Sequence, residues 1–247
     1  MKKKINLYKL IMLFLGIVVC NGATINIDSS DVNKVIYKIR MPPRDNKFKS
    51  PQAEKFINDI ANGLELVECQ LLFNKTSSVF KIIDKLVADN DKTYGLGAIQ
   101  ASGIYFKDTK NKIKIMQQSI RGEKLNIILP YEEYKWDVLA ETKVIDGYRC
   151  YKAVGYREEF NAKDNKIKIV RPEVWFTPEI PSSFGPKGMD GLPGLVLEGK
   201  LSEMAYFYAT KIIFNVESDE KLERPIDGKD MTYDNFKEFM LKGYSKN

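Results

Sequence analysis

Residues 176–198 read FTPEIPSSFGPKGMDGLPGLVLE, and the rest of the predicted fold is organised around this stretch. These 23 residues contain four of the ten prolines and four of the sixteen glycines of the protein. Glycine permits positive φ and close backbone approach, whereas proline fixes φ and removes a hydrogen-bond donor. The composition therefore predicts a rigid, non-repetitive loop, and the apolar residues 195–197 predict a buried strand directly after it.

Gly185, Gly188, Gly191 and Gly194 recur at every third position of this loop. A collagen triple helix would need many more such triplets and two partner chains, so the spacing does not indicate collagen. The GxxxxGK[ST] pattern of a phosphate-binding loop is absent as well. Two roles remain for the loop, an architectural one and that of a binding surface.

The first 23 residues have the features of a signal peptide. A lysine-rich segment precedes an apolar run of about ten residues, 10–19, whereas roughly 20 are needed to span a bilayer. Small side chains at Gly22 and Ala23 mark the expected cleavage site, so export to the periplasm or the outer membrane is predicted. Cys20 would be the anchor of a lipoprotein, but the bulky Val19 before it disfavours this alternative.

The remaining chain, residues 24–247, is close to neutral. The whole sequence has a formal net charge of +6, and residues 1–23 contribute four lysines and no acid, which leaves +2. This small charge argues against a nucleic-acid partner. No later segment is long and apolar enough to span a membrane, so we expect a soluble or peripherally membrane-associated domain.

Cysteine usage is consistent with export. Once Cys20 is removed with the signal peptide, Cys69 and Cys150 form an even pair in an oxidising compartment. We expect either a disulfide between them or two buried thiols in neighbouring strands, because the sequence does not define their separation.

From residue 64 onward the chain predicts strands. Alternating apolar residues are separated by short polar turns rather than by helices, which is typical of antiparallel pairing. We expect roughly ten strands and two helices. One helix begins at Ser50-Pro51 and ends at Asn62-Gly63, and the other follows Thr232 and ends at Gly243. Residues 89–97 are interpreted as a polar loop.

Together these elements predict a single β-rich domain over residues 24–247. We expect one antiparallel, strongly curved sheet or a partly open barrel, covered by one or two short helices. The apolar inner face of such a sheet buries the core or leaves a groove for an apolar ligand.

Side chains suited to catalysis are scarce. The absence of histidine excludes histidine-containing triads, histidine metal ligands and imidazole acid–base catalysis. Two cysteines cannot complete a four-cysteine zinc site, and the GxSxG and HExxH motifs are absent. The segment DNDKTYG has Tyr94 and Gln100 where an EF-hand needs glycine and glutamate. We expect no catalytic residue, no metal and no cofactor.

Two pairs of neighbouring carboxylates are the remaining candidates for chemistry. Glu132 and Glu133, and Glu158 and Glu159, could serve glycoside hydrolysis if two acids faced each other across a cleft. Adjacent residues of a strand point to opposite faces, and acids in turns are usually solvated. A carboxylate-dependent hydrolase is therefore only an alternative.

Three ordered segments resemble a known family: ETKVIDGYRCYKA from Glu141, WFTPEIPSSFGP from Trp175 and GLPGLVLE from Gly191. They resemble the GLPGLI family of exported Bacteroidota envelope proteins, with Val196 in place of the final isoleucine of that motif. The resemblance implies a signal peptide, an exported β-rich domain and an uncharacterised activity without established catalytic residues. The family signature, which is also the candidate interaction loop, comprises Trp175, Thr177, Pro178, Pro181, Gly185, Pro186, Gly191, Leu192, Pro193, Gly194 and Leu195.

The favoured function is that of a non-enzymatic binding or assembly factor in the periplasm or at the outer membrane. It would present a β-lined groove, or the glycine- and proline-rich loop, to an envelope protein or an apolar ligand. The alternatives are the hydrolase and a purely structural envelope domain in which the loop only closes the sheet.

Overall fold

A computed structural model of the protein describes residues 31–43, 50–83, 92–216 and 222–244. The predicted signal peptide and Cys20 lie outside these residues. The helices are α1 (Pro51–Leu66), α2 (Lys92–Ala101) and α3 (Tyr233–Tyr244), with a 3-10 turn at Pro186–Gly188. The strands are β1 (Asn33–Arg40), β2 (Glu68–Phe73), β3 (Ser77–Ile82), β4 (Ile104–Asp108), β5 (Ile113–Ile120), β6 (Glu123–Ile128), β7 (Lys135–Ile145), β8 (Tyr148–Asn161), β9 (Lys166–Val170), β10 (Glu173–Thr177), β11 (Leu195–Ser202), β12 (Ala205–Ile213) and β13 (Lys229–Thr232).

All thirteen of these strands belong to one sheet, in the order β13-β6-β5-β4-β3-β2-β1-β12-β11-β10-β8-β7, with β9 paired to the outer part of β8. The prediction of a mainly β protein with one open, curved sheet is confirmed. Pairing is antiparallel as expected except between β13 and β6, which run parallel because β13 returns to the far edge after a long excursion.

Aromatic contacts on the inner face show how strongly the sheet curves. Phe80 in β3 and Phe207 in β12 are three strands apart, which in a flat sheet corresponds to about 14 Å. Their ring centroids are nevertheless only 6.0 Å apart, and Tyr37 in β1 lies between them with its ring 6.3 Å from that of Phe80. The two halves of the sheet therefore face each other across a shared core.

The glycine- and proline-rich loop, residues 178–194, contributes to this core from inside. Ile180, Phe184, Met189 and Leu192 are all buried in the main hydrophobic cluster. The backbone approaches closely at Gly194, where a Cβ atom would lie 2.2 Å from the carbonyl oxygen of Thr177. The loop thus packs inside the curved sheet as part of its core, and β11 follows it as expected.

The helices differ from the sequence prediction in number and extent. Ser50 caps α1 as predicted, since its Oγ accepts a hydrogen bond from the amide of Ala53. However, α1 continues past Asn62-Gly63 to Leu66, and α2 forms where a polar loop was expected. The reason is contact between the helices, because a Cβ on Gly63 would lie only 2.0 Å from the carbonyl oxygen of Thr93 in α2.

The alternative of two buried thiols matches the described structure, but the strands that hold them are not neighbours. Cys69 in β2 and Cys150 in β8 are both buried, free thiols. Four strands, β1, β12, β11 and β10, lie between β2 and β8 in the sheet order. Both cysteines therefore act as small core residues of separate strands.

Candidate functional site

A cavity of about 380 Å³ opens at one end of the curved sheet. Its wall is formed by α2, by strands from both halves of the sheet, by the loop around Lys187 and by α3. Cavities of roughly 300–1,000 Å³ at the mouth of a β-structure commonly hold small molecules. The predicted β-lined groove therefore has a physical counterpart in the described part of the chain.

This wall is part apolar and part polar. Large side chains from opposite sides of the sheet and from α3 contribute to it: Tyr105, Met116, Phe160, Phe207, Phe236 and Met240. Because Arg121 donates hydrogen bonds to the carbonyl oxygens of Phe239 and Met240, α3 is held against the turn between β5 and β6. The helix thereby keeps its apolar face on the cavity.

Four charged side chains also line the cavity: Glu133, Arg157, Glu159 and Lys187. Arg157 in β8 donates to Glu133 over 2.6 Å and also to Glu159. Glu133 and Glu159, one from each carboxylate pair noted in the sequence, thus both contact the guanidinium of Arg157. Glu158 instead lines a separate surface depression beside Trp136, so the predicted alternation of neighbouring acids holds in β8.

A buried ion-pair network lies behind Glu133. Lys114 Nζ is 2.7 Å from Glu133 and 2.8 Å from Asp190, and Lys107 Nζ is 2.5 Å from Asp190. Lys114 is fully enclosed, with 2% of its side chain exposed. Trp136 Nε1 donates to the carbonyl oxygen of Asp190 over 2.8 Å. The network connects β4, β5 and β7 to the end of the glycine- and proline-rich loop.

The network keeps Glu133 ionised. Burial alone would raise the pKa of Glu133, but the adjacent Lys114 and Arg157 outweigh burial and hold that pKa below its ordinary value. A general acid in glycoside hydrolysis needs the opposite, a carboxyl group whose pKa is raised toward neutrality. Glu133 is therefore suited to ion pairing rather than to proton donation.

Lys187 differs from the other cations of the cavity. It has a left-handed backbone, φ 53° and ψ 32°, within the 3-10 turn, and its Nζ donates to the carbonyl oxygen of Ser102 over 2.7 Å. The ammonium also lies 5.0 Å from the ring centroid of Tyr105. Burial lowers the pKa of Lys187 to about 8. A buried cation on an unusual backbone conformation is typical of a functional position.

The residues predicted for the interaction loop are divided between interior and surface. Buried positions are Thr177, Gly185, Pro186, Leu192, Gly194 and Leu195, and half-buried ones are Trp175 and Pro178. Only Pro181, Gly191 and Pro193 are exposed. Trp175 lies away from the centre of the loop. The ammonium of Lys143 packs on its ring, 4.6 Å from the ring centroid. The loop therefore offers little continuous surface to a protein partner.

Sequence reasoning missed Lys187, Arg157 and Asp190 as site residues. A usable signal was present, because Lys187 and Asp190 are the two charged residues within the apolar and glycine-rich segment 180–197. Charges inside a segment that is expected to be buried need partners or a function. For metals, the described residues contain no group of three or more cysteine, aspartate or glutamate side chains placed to hold an ion.

Comparisons with known proteins provide a partial family match and a fold. A model described as a protein of unknown function (Porph_ging) matches residues 156–198, which include Arg157, Lys187 and the GLPGLV run. No curated protein matches the chain. The resemblance to the GLPGLI family therefore stays a prediction.

Two structures of PNGF-II, in the C2 and P21 space groups, are similar in fold. They share 15% sequence identity with the chain, with TM-scores of 0.53 and 0.52. The alignments cover 86% of this chain but only 33% and 34% of PNGF-II, so the chain spans about a third of the length of that protein. At this identity the similarity concerns the fold alone.

Proposed function

We propose that the protein is an exported, non-enzymatic binding domain of the cell envelope that takes an apolar ligand into the cavity at the open end of its curved sheet. The cavity itself is the observation that carries this proposal. It combines large apolar side chains with a small number of charged groups, as small-molecule sites do.

The ion pairs formed by the charged groups of the cavity favour binding over catalysis. Glu133 and Glu159 are both paired with Arg157, and Glu133 is also paired with Lys114. Groups held in ion pairs of this kind orient a ligand and strengthen the site, and the pKa of Glu133 is lowered, whereas a general acid needs a raised one. The expectation of a protein without catalytic residues is retained on this ground.

The position of the glycine- and proline-rich loop favours a ligand over an envelope protein as partner. Its centre, around Phe184 and Met189, is buried, and Lys187 forms part of the cavity wall. The loop thus supports the site from inside. In the described residues, no helix combines the length and the apolar character needed to cross a membrane.

Occupation of the cavity can be tested with N-phenyl-1-naphthylamine, an uncharged apolar probe whose fluorescence rises on leaving water. We expect saturable binding at one site per chain. Met116→Trp fills the cavity from β5 and should abolish this binding, whereas Val144→Trp on the exposed side of β7 should leave it unchanged. Equal binding by both variants, or none by the unmodified protein, would refute a binding role for the cavity.

The hydrolase remains a second candidate because of one observation. Glu133 and Glu159 lie on the same cavity and contact the same guanidinium, so two acids do meet in a concave site. Incubation of the protein with envelope glycans, followed by mass spectrometry, tests this alternative. Product release that is lost in Glu159→Gln but kept in Glu158→Gln would assign hydrolysis to the protein.

A further inference from the structure

We infer that the ligand of the cavity is a monoanionic amphiphile, an apolar chain with one carboxylate-like head that pairs with Lys187. This inference rests on the proposed binding role of the cavity and specifies the class of ligand. It follows from the ion pairs around the cavity, from the position of the Lys187 ammonium and from the size of the apolar space.

The carboxylates near the cavity are already occupied by other cations. Asp190 is paired with Lys107 and Lys114, while Glu133 is paired with Lys114 and Arg157. Glu159 is paired with Arg157. None of these three acids contacts Lys187, and no other carboxylate of the described chain forms an ion pair with it. In the cavity and the network behind it, the four cations Lys107, Lys114, Arg157 and Lys187 therefore outnumber these three acids by one.

Lys187 is buried, with 9% of its surface exposed. Lysine is almost never this buried unless it is paired, because a charge removed from water needs a compensating charge or several hydrogen bonds. The carbonyl oxygen of Ser102 and the face of the Tyr105 ring compensate only in part. The low pKa of Lys187 reflects this unpaired state, and an anion bound beside the ammonium would raise that pKa again.

The backbone holds the ammonium in place before any ligand arrives. Lys187 stands between Pro186 and Gly188, and the amide of Met189 closes the turn by donating to the carbonyl oxygen of Pro186 over 3.1 Å. Lys114 Nζ donates to the carbonyl oxygen of Gly188 over 3.0 Å and fixes the turn from the other side. A group held in this way loses little conformational entropy on binding.

The volume of the cavity sets the size of the ligand. A volume of about 380 Å³ holds about a dozen non-hydrogen atoms at roughly 30 Å³ each. The apolar wall continues from Tyr105 beside the ammonium to Phe236 and Met240 on α3. A carboxylate on a chain of about ten carbons fits this arrangement, and each added methylene should tighten binding about fourfold until the space is full.

Calorimetric titration at pH 7 with decanoate and with decan-1-ol separates the head from the chain. We expect decanoate to bind at least tenfold more tightly than decan-1-ol. Lys187→Gln should remove this preference without weakening decan-1-ol, and Lys187→Arg should retain most of it. Lys168→Gln, an exposed lysine of β9, serves as the matched control and should bind both compounds like the unmodified protein.

A second measurement needs no variant of Lys187. Acetic anhydride reacts with the unprotonated amine, which a pKa of about 8 makes more abundant at neutral pH, and mass spectrometry of the peptide that contains Lys187 can follow its acetylation. Bound decanoate should slow this acetylation at least tenfold, and the labelling of Lys168 should not change.

Decan-1-ol that binds as tightly as decanoate would overturn the inference while leaving the proposed binding function intact. Binding of neither compound, together with no binding of N-phenyl-1-naphthylamine, would overturn both.

Discussion

The hydroxyl of Tyr37 in β1 donates a 2.6 Å hydrogen bond to the backbone carbonyl oxygen of Val196 in β11, across the inside of the curved sheet. Tyr37 is fully buried, and Val196 belongs to the GLPGLV run. The bond therefore joins the first described strand to the strand that directly follows the core-filling loop. It links the two halves of the sheet independently of strand pairing.

Tyr37→Phe should lower the free energy of unfolding by about 1–3 kcal/mol, because the carbonyl oxygen of Val196 is left buried without that donor. Urea denaturation followed by circular dichroism measures the change. Tyr208→Phe is the control on the same sheet. Tyr208 is half-buried and its hydroxyl forms no hydrogen bond with a described residue, so this variant should stay within about 0.5 kcal/mol. Equal effects of the two substitutions would contradict the assigned role of the bond.

Asp190→Asn should be among the most destabilising conservative substitutions in the chain. It removes the negative charge that Lys107 and Lys114 share in the interior, and loss of one partner of a buried pair costs about 3–5 kcal/mol. Asp164→Asn, at a half-exposed turn position, should cost less than about 0.5 kcal/mol. Thermal and urea unfolding of both variants test this difference, and a cost below 1 kcal/mol for Asp190→Asn would show that the network is not essential for stability.

Gly63 and Gly95 should respond in opposite ways to alanine. A methyl group at Gly63 would meet the backbone of α2, so Gly63→Ala should cost about 1–3 kcal/mol. Gly95 lies in α2 with open space around its Cβ position, and Gly95→Ala should be neutral or stabilise by up to about 1 kcal/mol. Melting temperatures of the two variants provide the comparison, and destabilisation by both would mean that helix contact is not the cause.

Lys187 should make stability depend on pH in the alkaline range. The folded protein releases the proton of Lys187 near its pKa of about 8, whereas the unfolded chain keeps it up to about 10.5. Between these values the unfolded state binds more protons, so the contribution of Lys187 to the free energy of unfolding rises with pH. The stability of the unmodified protein relative to Lys187→Gln should therefore increase from pH 7.5 to pH 10. A difference that stays constant would mean that the ammonium is not destabilised by burial.

Both thiols should be inert in the folded protein. Burial raises the pKa of Cys69 and that of Cys150 to about 12, and the thiolate is the reactive form. Titration with Ellman's reagent should detect almost no reactive thiol in the native chain without residues 1–23, and two per chain in denaturant. Detection of none after denaturation would demonstrate a disulfide.

Local sequence signals predicted those parts of the fold that depend on neighbouring residues. Ser50 caps α1, the Oγ1 of Thr232 accepts a hydrogen bond from the amide of Asn235 at the start of α3, and β11 begins at Leu195 after the loop. The alternation of apolar residues identified a mainly β chain. These features follow from capping and periodicity, which act over a few residues.

Contacts between distant segments determine what could not be predicted. The α2 segment contains Gly95 and Gly97, which weaken a helix in isolation, so it resembles a loop until its packing against α1 is known. The candidate site was hidden for the same reason. Lys187, Ser102 and Arg157 are far apart in sequence, and periodicity does not reveal that they line one cavity.

The central place of β1 in the sheet has a consequence for how the protein is made. β1 pairs on one side with β12, as in the match of Ile36 with Lys211, although about 165 residues separate the two strands. At roughly 5–20 residues per second, β12 leaves the ribosome some 8–30 s after β1. During that interval one edge of β1 and the hydroxyl of Tyr37 lack their native partners, and such edges favour aggregation. If the chain is exported unfolded, as proposed, and folds only after β12 has followed, that exposure is avoided.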